Sequence, residues 1–212
     1  MIQKLFSRLS FVAVLLLFTG IAQAEQTAHQ VVEQTVDELF SDLNENREQY
    51  RADPETFYAM MNRVIGEVVD VEGVARSVMT VRYSRRATQA QIVRFQENFK
   101  RSLMQFYGNA LLEYNNSGVR VLPANAPESE QRTEVRMEVK DSQGVVYPVS
   151  YTMVKVNGRW KLRNVVIEGI NIGKLFRDQF AEAMQRNRNN LDLVIDTWVD
   201  TVARTRQAEA AK

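Results

Sequence analysis

The sequence predicts an α+β domain, with helices packed on one face of a curved antiparallel sheet. Three observations predict it. Apolar residues recur at intervals of three and four up to residue 114. The period changes to two between residues 119 and 167, and helical spacing returns after Gly169.

The first 24 residues read as a cleaved signal peptide. Lys4 and Arg8 supply a positive start. Residues 9–21 are apolar except for Ser10, Thr19 and Gly20, and Ala22-Gln23-Ala24 gives the small-x-small pattern cut by a signal peptidase. The run is shorter than the roughly 20 apolar residues that a membrane span needs. With no cysteine in the chain, lipid attachment to a new N-terminal thiol is excluded. Cleavage after Ala24 leaves 188 residues, enough for one domain over 25–205 and a charged, alanine-rich tail over 206–212. Whole-chain Lys+Arg is 27 against 26 Asp+Glu, and losing Lys4 and Arg8 brings the mature balance to −1. That near-neutral charge argues against nucleic acid as a partner, because phosphate binding needs excess positive charge.

Each element has a local reason. Val32, Val36, Leu39, Phe40 and Leu43 fall on one helical face. Asp53-Pro54 is a start signal, with an acceptor at the N-cap and proline at the first helical position. Phe57, Met60, Met61, Val64 and Val68 line the helix that follows, and 71–81 is a short apolar segment. Thr88 and Gln91 form a capping box for the longest helix, along which Ile92, Phe95, Phe99, Leu103, Phe106 and Ala110 repeat until Asn115-Asn116-Ser117-Gly118 ends it. Strands are expected at 119–122, 133–140, 145–156 and 159–167, with Asn157-Gly158 as a two-residue hairpin turn. Glu168-Gly169 leaves the sheet. Leu175, Phe176, Phe180 and Met184 mark the next helix, and Leu191, Val194, Ile195, Trp198 and Val202 a final one.

Catalytic chemistry has few carriers here. His29 is the single histidine and stands five residues beyond the cleavage site, in a segment expected to fray as a solvated side chain. Thiol catalysis and thiolate metal sites are excluded by the absence of cysteine. Asp37 with Glu38, Asp70 with Glu72, and Asp192 with Asp196 read as solvated helix faces. Glu168 is the one acid in a strand-end context, either a general base or a cap for the segment after it.

Aromatic and methionine side chains crowd the alternating strand face and the helices: Phe57, Met60, Met61, Met79, Phe95, Phe99, Phe106, Met137, Tyr151, Met153 and Trp160. Methionine adapts to variable hydrocarbon, yet the same stripe describes an ordinary filled core, and periodicity does not separate the two. The cluster Arg82-Tyr83-Ser84-Arg85-Arg86 suits a phosphate, an acidic partner surface or a solvated loop.

Two stretches resemble the MlaC family, also called the toluene-tolerance or ABC-transporter auxiliary component family. One is Arg82-Tyr83-Ser84-Arg85-Arg86-Ala87-Thr88-Gln89-Ala90-Gln91, continuing through Phe95, Phe99, Leu103, Tyr107 and Ala110-Leu111-Leu112-Glu113-Tyr114. The other is Asn157-Gly158-Arg159-Trp160-Lys161-Leu162, residues 165–169 and Phe176-Arg177-Asp178-Gln179-Phe180. Tyr83, Asn164, Ile170-Asn171 and Phe176 depart from the family's common Trp, Asp, Val-Ser and Tyr. The resemblance implies an NTF2-like cone whose apolar cavity takes phospholipid tails as cargo, with no cofactor and no enzymatic activity. It also implies a periplasmic protein that exchanges lipid between an outer-membrane lipoprotein–porin complex and an inner-membrane ABC transporter complex carrying an MCE-domain subunit.

On that reading Val135, Met137, Val139, Val149, Tyr151, Met153, Trp160, Leu162 and Val166 form the cavity floor. Phe57, Met60, Met61, Val64, Phe95, Phe99, Leu103 and Phe106 form its walls, and Arg82, Arg85 and Arg86 meet a head group or a docking partner. Two other readings stay open: a protein-binding adaptor with a filled core, and an enzyme on the same fold using Glu168.

Overall fold

The computed structural model describes residues 26–114, 118–125 and 127–210; the signal peptide and the Asn115-Asn116-Ser117 helix end lie outside them. The first helix, α1 (Ala28–Ala52), begins four residues before Val32, at a capping box in which Thr27 and Gln30 satisfy each other's backbone N–H groups. His29 is therefore anchored, contrary to the fraying expected of it. It is half-buried in the first turn, its Nε2–H donates to the Leu122 carbonyl at 2.8 Å, and its backbone N–H donates to Glu128 at 3.2 Å.

Asp53 closes α1 and opens α2 (Pro54–Val64), accepting from the N–H groups of Glu55 and Thr56 and from the Thr56 hydroxyl. The apolar segment after it is two short helices, α3 (Val71–Val78) and α4 (Thr80–Ser84). They are divided at Thr80, whose φ of +62° is a conformation that β-branched residues rarely hold. The long helix α5 (Gln89–Glu113) starts at the expected Thr88–Gln91 box.

The strands β1 (Val119–Val121), β2 (Arg132–Lys140), β3 (Val146–Val156) and β4 (Arg159–Ile167) pair antiparallel in sequence order. A fifth, β5 (Ile170–Asn171), extends this sheet. Glu168-Gly169 does not leave the sheet but turns it. Both residues have positive φ, +51° and +80°, and return the chain so that Ile170 pairs with Ile167.

Asn171 caps α6 (Ile172–Arg186). The expected last helix is broken into α7 (Leu191–Asp196) and α8 (Trp198–Ala210). At the break the Thr197 hydroxyl bonds the Leu193 carbonyl at 2.7 Å, a local bond that bends helices. The α8 backbone stays helical through Ala210, into the segment expected as a tail.

Buried side chains gather in three clusters. One joins α3, the first half of α5, α6, α7 and α8 around Phe95, Phe176, Phe180 and Trp198. A second joins α1, α2 and the end of α5 around Leu43, Tyr50, Phe57 and Met60. The third packs Ala28 and Val32 of α1 on Val135, Met153 and Trp160 of the sheet. The polar helix faces are occupied by ion pairs: Glu38 meets Arg63, Glu72 meets Arg76, and Asp192 and Asp196 both meet Arg94.

Candidate functional site

Antiparallel partners share a face of the sheet, so the register fixes which side chains point together. Val135 pairs with Tyr151, Met137 with Val149, Met153 with Leu162 and Lys155 with Trp160. With Val139 two residues beyond Met137, these place Val135, Met137, Val139, Val149, Tyr151, Met153, Leu162 and Trp160 on one inner face, as the alternation predicts.

Val166 is the exception. The register slips at Thr152/Met153: Met153 faces Leu162, but Thr152 faces Asn164, so Arg163 is an extra residue in β4. Beyond this bulge Val165 pairs with Tyr151, and Val166 pairs with Ser150 on the opposite face. Val165 therefore takes the inner position assigned to Val166.

The bulge has a mechanical cause. The linker before α3 is bonded to β4, with Leu162 N–H donating to Val68 at 2.7 Å and Asp70 N–H to Leu162 at 2.9 Å. Asp70 caps α3 through the Gly73 N–H and receives the Arg163 Nε–H at 2.6 Å. Arg163 must turn out of the ladder to reach it. Glycine at 73 leaves room for this pair, since a Cβ there would lie 2.2 Å from Asp70 Oδ2 and 2.4 Å from Arg163 Nε and would have to displace one of them. On the far side of the bulge Asn164 Oδ1 accepts from the Gly173 N–H at 2.9 Å, fastening β4 to the start of α6.

The walls divide. Phe57, Met60 and Val64 are buried in the cluster with α1 and the end of α5, and Met61 is partly exposed beside them. Phe57 lies so close to α5 that a Cβ on Gly108 would come within 2.9 Å of its ring. Phe95 and Phe99 depart from the expectation. They sit in the all-helical cluster, Phe95 5.2 Å from Phe180 and 5.3 Å from Trp198, and Phe99 5.1 Å from Phe176. Phe95 is fully buried there, its surface taken up by the protein's own rings. Leu103 and Phe106, at the edge of this cluster, keep partial exposure. The periodicity of α5 located a buried stripe but not which neighbours it met.

Met137 and Val149 are buried, at 6% and 7% exposure. Tyr151 stays partly accessible although burial pushes its phenol up to about 12. Sites that sequence reasoning passed over are Val165 and the partly buried Phe40, Ile65, Met104 and Leu111, which border the second cluster. Two successive polar residues, Arg163 and Asn164, interrupt the alternation of β4 and were its visible sign of a bulge.

The described surface carries several openings. Val135 borders one of about 190 Å³ beside His29, and Phe57 borders one of about 290 Å³ beside Tyr50 and Met104. A wider groove of about 720 Å³ runs past Asp70, Arg76, Thr80, Val81, Arg163 and Arg177. Arg82 stands exposed on α4, 5.3 Å over the Tyr83 ring, and Arg85 and Arg86 stand exposed in the turn that follows it. Glu168 is exposed on its turn, away from any enclosed site.

Known proteins agree with this architecture. The family described as MlaC protein matches residues 33–200. A toluene tolerance protein, ttg2D, of Pseudomonas putida is 55% identical over 201 residues, 95% of this chain and 93% of its own. The intermembrane phospholipid transport system binding protein MlaC of Haemophilus influenzae is 24% identical over 174 residues, 81% of each chain. The solved structure of a phospholipid-binding protein from Ralstonia solanacearum, in complex with a phospholipid, superposes with a TM-score of 0.76 at 21% identity. The match covers 84% of this chain and 98% of that one. With the family match spanning most of the helices and the whole sheet, the chain belongs to the MlaC protein family.

Proposed function

We propose that this protein is a periplasmic phospholipid carrier, released by cleavage after Ala24, that holds its cargo by the acyl tails between the inner face of the sheet and the helices. The observation that carries the reading is that inner face itself: a row of mostly apolar side chains along β2, β3 and β4, with Met137 and Val149 among those hidden from water. Relatives described by phospholipid transport and phospholipid binding support it.

The energetics suit a carrier. Burying a methylene is worth about 0.8 kcal/mol, so two tails of about 15 methylenes carry roughly 24 kcal/mol of transfer free energy. A protein that moves a lipid through water must replace nearly all of it. A site that matches the bilayer leaves transfer near balance, so direction comes from the partners. We assign those roles to an outer-membrane lipoprotein–porin complex and an inner-membrane ABC transporter complex with an MCE-domain subunit. The tails need room beyond the surface openings, so loading separates the sheet from α2 and the end of α5 along partly buried residues such as Met61, Leu111 and Val165.

Arg82, Arg85 and Arg86 lie outside this interior and suit docking. Beside them Val81 is 61% exposed, next to the strained Thr80 backbone, and such strain is typical of functional surfaces. Catalysis by Glu168 is disfavoured by its exposed position, since a base needs a partly desolvated site to be tuned.

Native mass spectrometry of protein purified without detergent tests the reading. Added mass matching a phospholipid is expected. The bare chain alone would support the filled-core adaptor instead.

A further inference from the structure

One polar group stands in the middle of the inner face, away from Lys155 and Tyr147 nearer the ends of β3. Tyr151 stands in the middle of β3, between Val135 of β2 and Val165 of β4, with Val149 and Met153 two residues to either side. Its hydroxyl points at the Met137 sulfur, 3.9 Å away, and a thioether is a weak acceptor. Other tyrosines are better served. The Tyr50 hydroxyl donates to Asp42, that of Tyr83 to Asn189, that of Tyr114 to the Gly118 and Lys140 carbonyls, and that of Tyr147 to Asp141. A largely desolvated hydroxyl whose acceptor among the described residues is a thioether keeps part of a desolvation cost that an oxygen acceptor would remove.

Cargo held by its tails brings such a partner with it. In a diacyl phospholipid each chain joins glycerol through an ester, whose carbonyl oxygen accepts hydrogen bonds and has no donor of its own. It is the polar atom that follows the hydrocarbon deepest into an apolar site. We propose that the Tyr151 hydroxyl turns from Met137 to donate to an acyl-ester carbonyl of the bound phospholipid, which makes Tyr151 the residue that favours ester-linked over ether-linked lipids. The inference rests on the carrier reading and adds a chemical specificity to it. The phenol's resistance to ionisation keeps the donor proton in place throughout the physiological range.

The test is a competition. Wild-type protein and Tyr151→Phe are each incubated with vesicles holding equal amounts of diester and diether phosphatidylcholine of the same chain length, and the bound lipids are counted by native mass spectrometry. One neutral hydrogen bond corresponds to about a fivefold preference. The wild type is expected to take up the ester lipid about fivefold over the ether lipid, and Tyr151→Phe to take up both equally, with ether uptake unchanged. Ser150→Ala, on the opposite face of the same strand, should keep the preference. Equal uptake by the wild type, a preference that survives in Tyr151→Phe, or its loss in Ser150→Ala would overturn the Tyr151 assignment while leaving the carrier reading intact. Uptake of neither lipid by the wild type would overturn the carrier reading itself.

Discussion

Tyr50 and Tyr151 both hold their phenolic protons to about pH 12, for different reasons. For Tyr151 burial is the cause. For Tyr50 burial is the largest cause, followed by the hydrogen bond to Asp42 and the repulsion of its carboxylate. Because both values lie above the ordinary value near 10, folding is fully supported by these groups below pH 10 and loses that support as pH rises through about 12. Tyr147 is raised as well, by its hydrogen bond to Asp141 and that carboxylate's charge, so absorbance at 295 nm should show at least two of the seven tyrosines still unionised at pH 11 in folded protein. Titration of all seven together near pH 10 would contradict the placement of both rings. The bulge gives a second prediction at this scale. Val165→Asp puts a carboxylate on the inner face beside Tyr151 and should cost about 2–4 kcal/mol and remove copurifying lipid. Val166→Asp, on the other face, should keep the lipid. The reverse order in native mass spectra would return the face to the unbulged register.

Among the elements, α2 is governed by its cap. The Thr56 hydroxyl, then the backbone N–H groups of Thr56 and Glu55, hold the Asp53 carboxyl below its ordinary value. Its contribution is thus present above about pH 4 and disappears as pH falls through the lower folded value. The melting temperatures of wild type and Asp53→Asn should differ at pH 6 and converge by pH 2; a gap that persists at pH 2 would mean that the carboxylate is not what holds α2. At the bulge, Gly73→Ala forces a methyl group against the Asp70 carboxyl and should destabilise by about 1–3 kcal/mol in a denaturant titration, whereas an unchanged midpoint would show that the Asp70–Arg163 contact yields freely. The capping boxes, Asp53-Pro54 and Asn157-Gly158 were legible in the sequence because each is local chemistry acting over three or four residues. The Glu168-Gly169 turn was legible as a break but not as a hairpin, since the pairing of Ile170 with Ile167 depends on a two-residue strand too short to show a period. The displacement of Phe95 and Phe99 from the walls was invisible for a related reason. A helical stripe states that a face is buried, while Phe180 and Trp198, about a hundred residues downstream, decide against what.

For the whole molecule, the separation of the buried residues into three clusters is the property that matters. The helical cluster around Trp198 forms one apolar centre, and the sheet with α1 forms another; on the proposed reading, acyl tails lie against the inner face of the sheet. Docking is a separate surface in this account. Replacing Arg82, Arg85 and Arg86 together by alanine should leave the copurifying lipid unchanged and slow transfer of labelled lipid to membranes carrying the partner complexes. Loss of bound lipid in that variant would instead place the arginines at the cargo site.

The occupancy of the space between sheet and helices is measured most directly with a phospholipid bearing a photoactivatable diazirine near the middle of one acyl chain. After loading and illumination, peptide mapping is predicted to find adducts on Met137, Val149, Tyr151 or Val165, with others on Met61 or Leu111 of the helices. Adducts confined to Ser150, Val166 and the outer face, or to the exposed arginines on and after α4, would contradict the account.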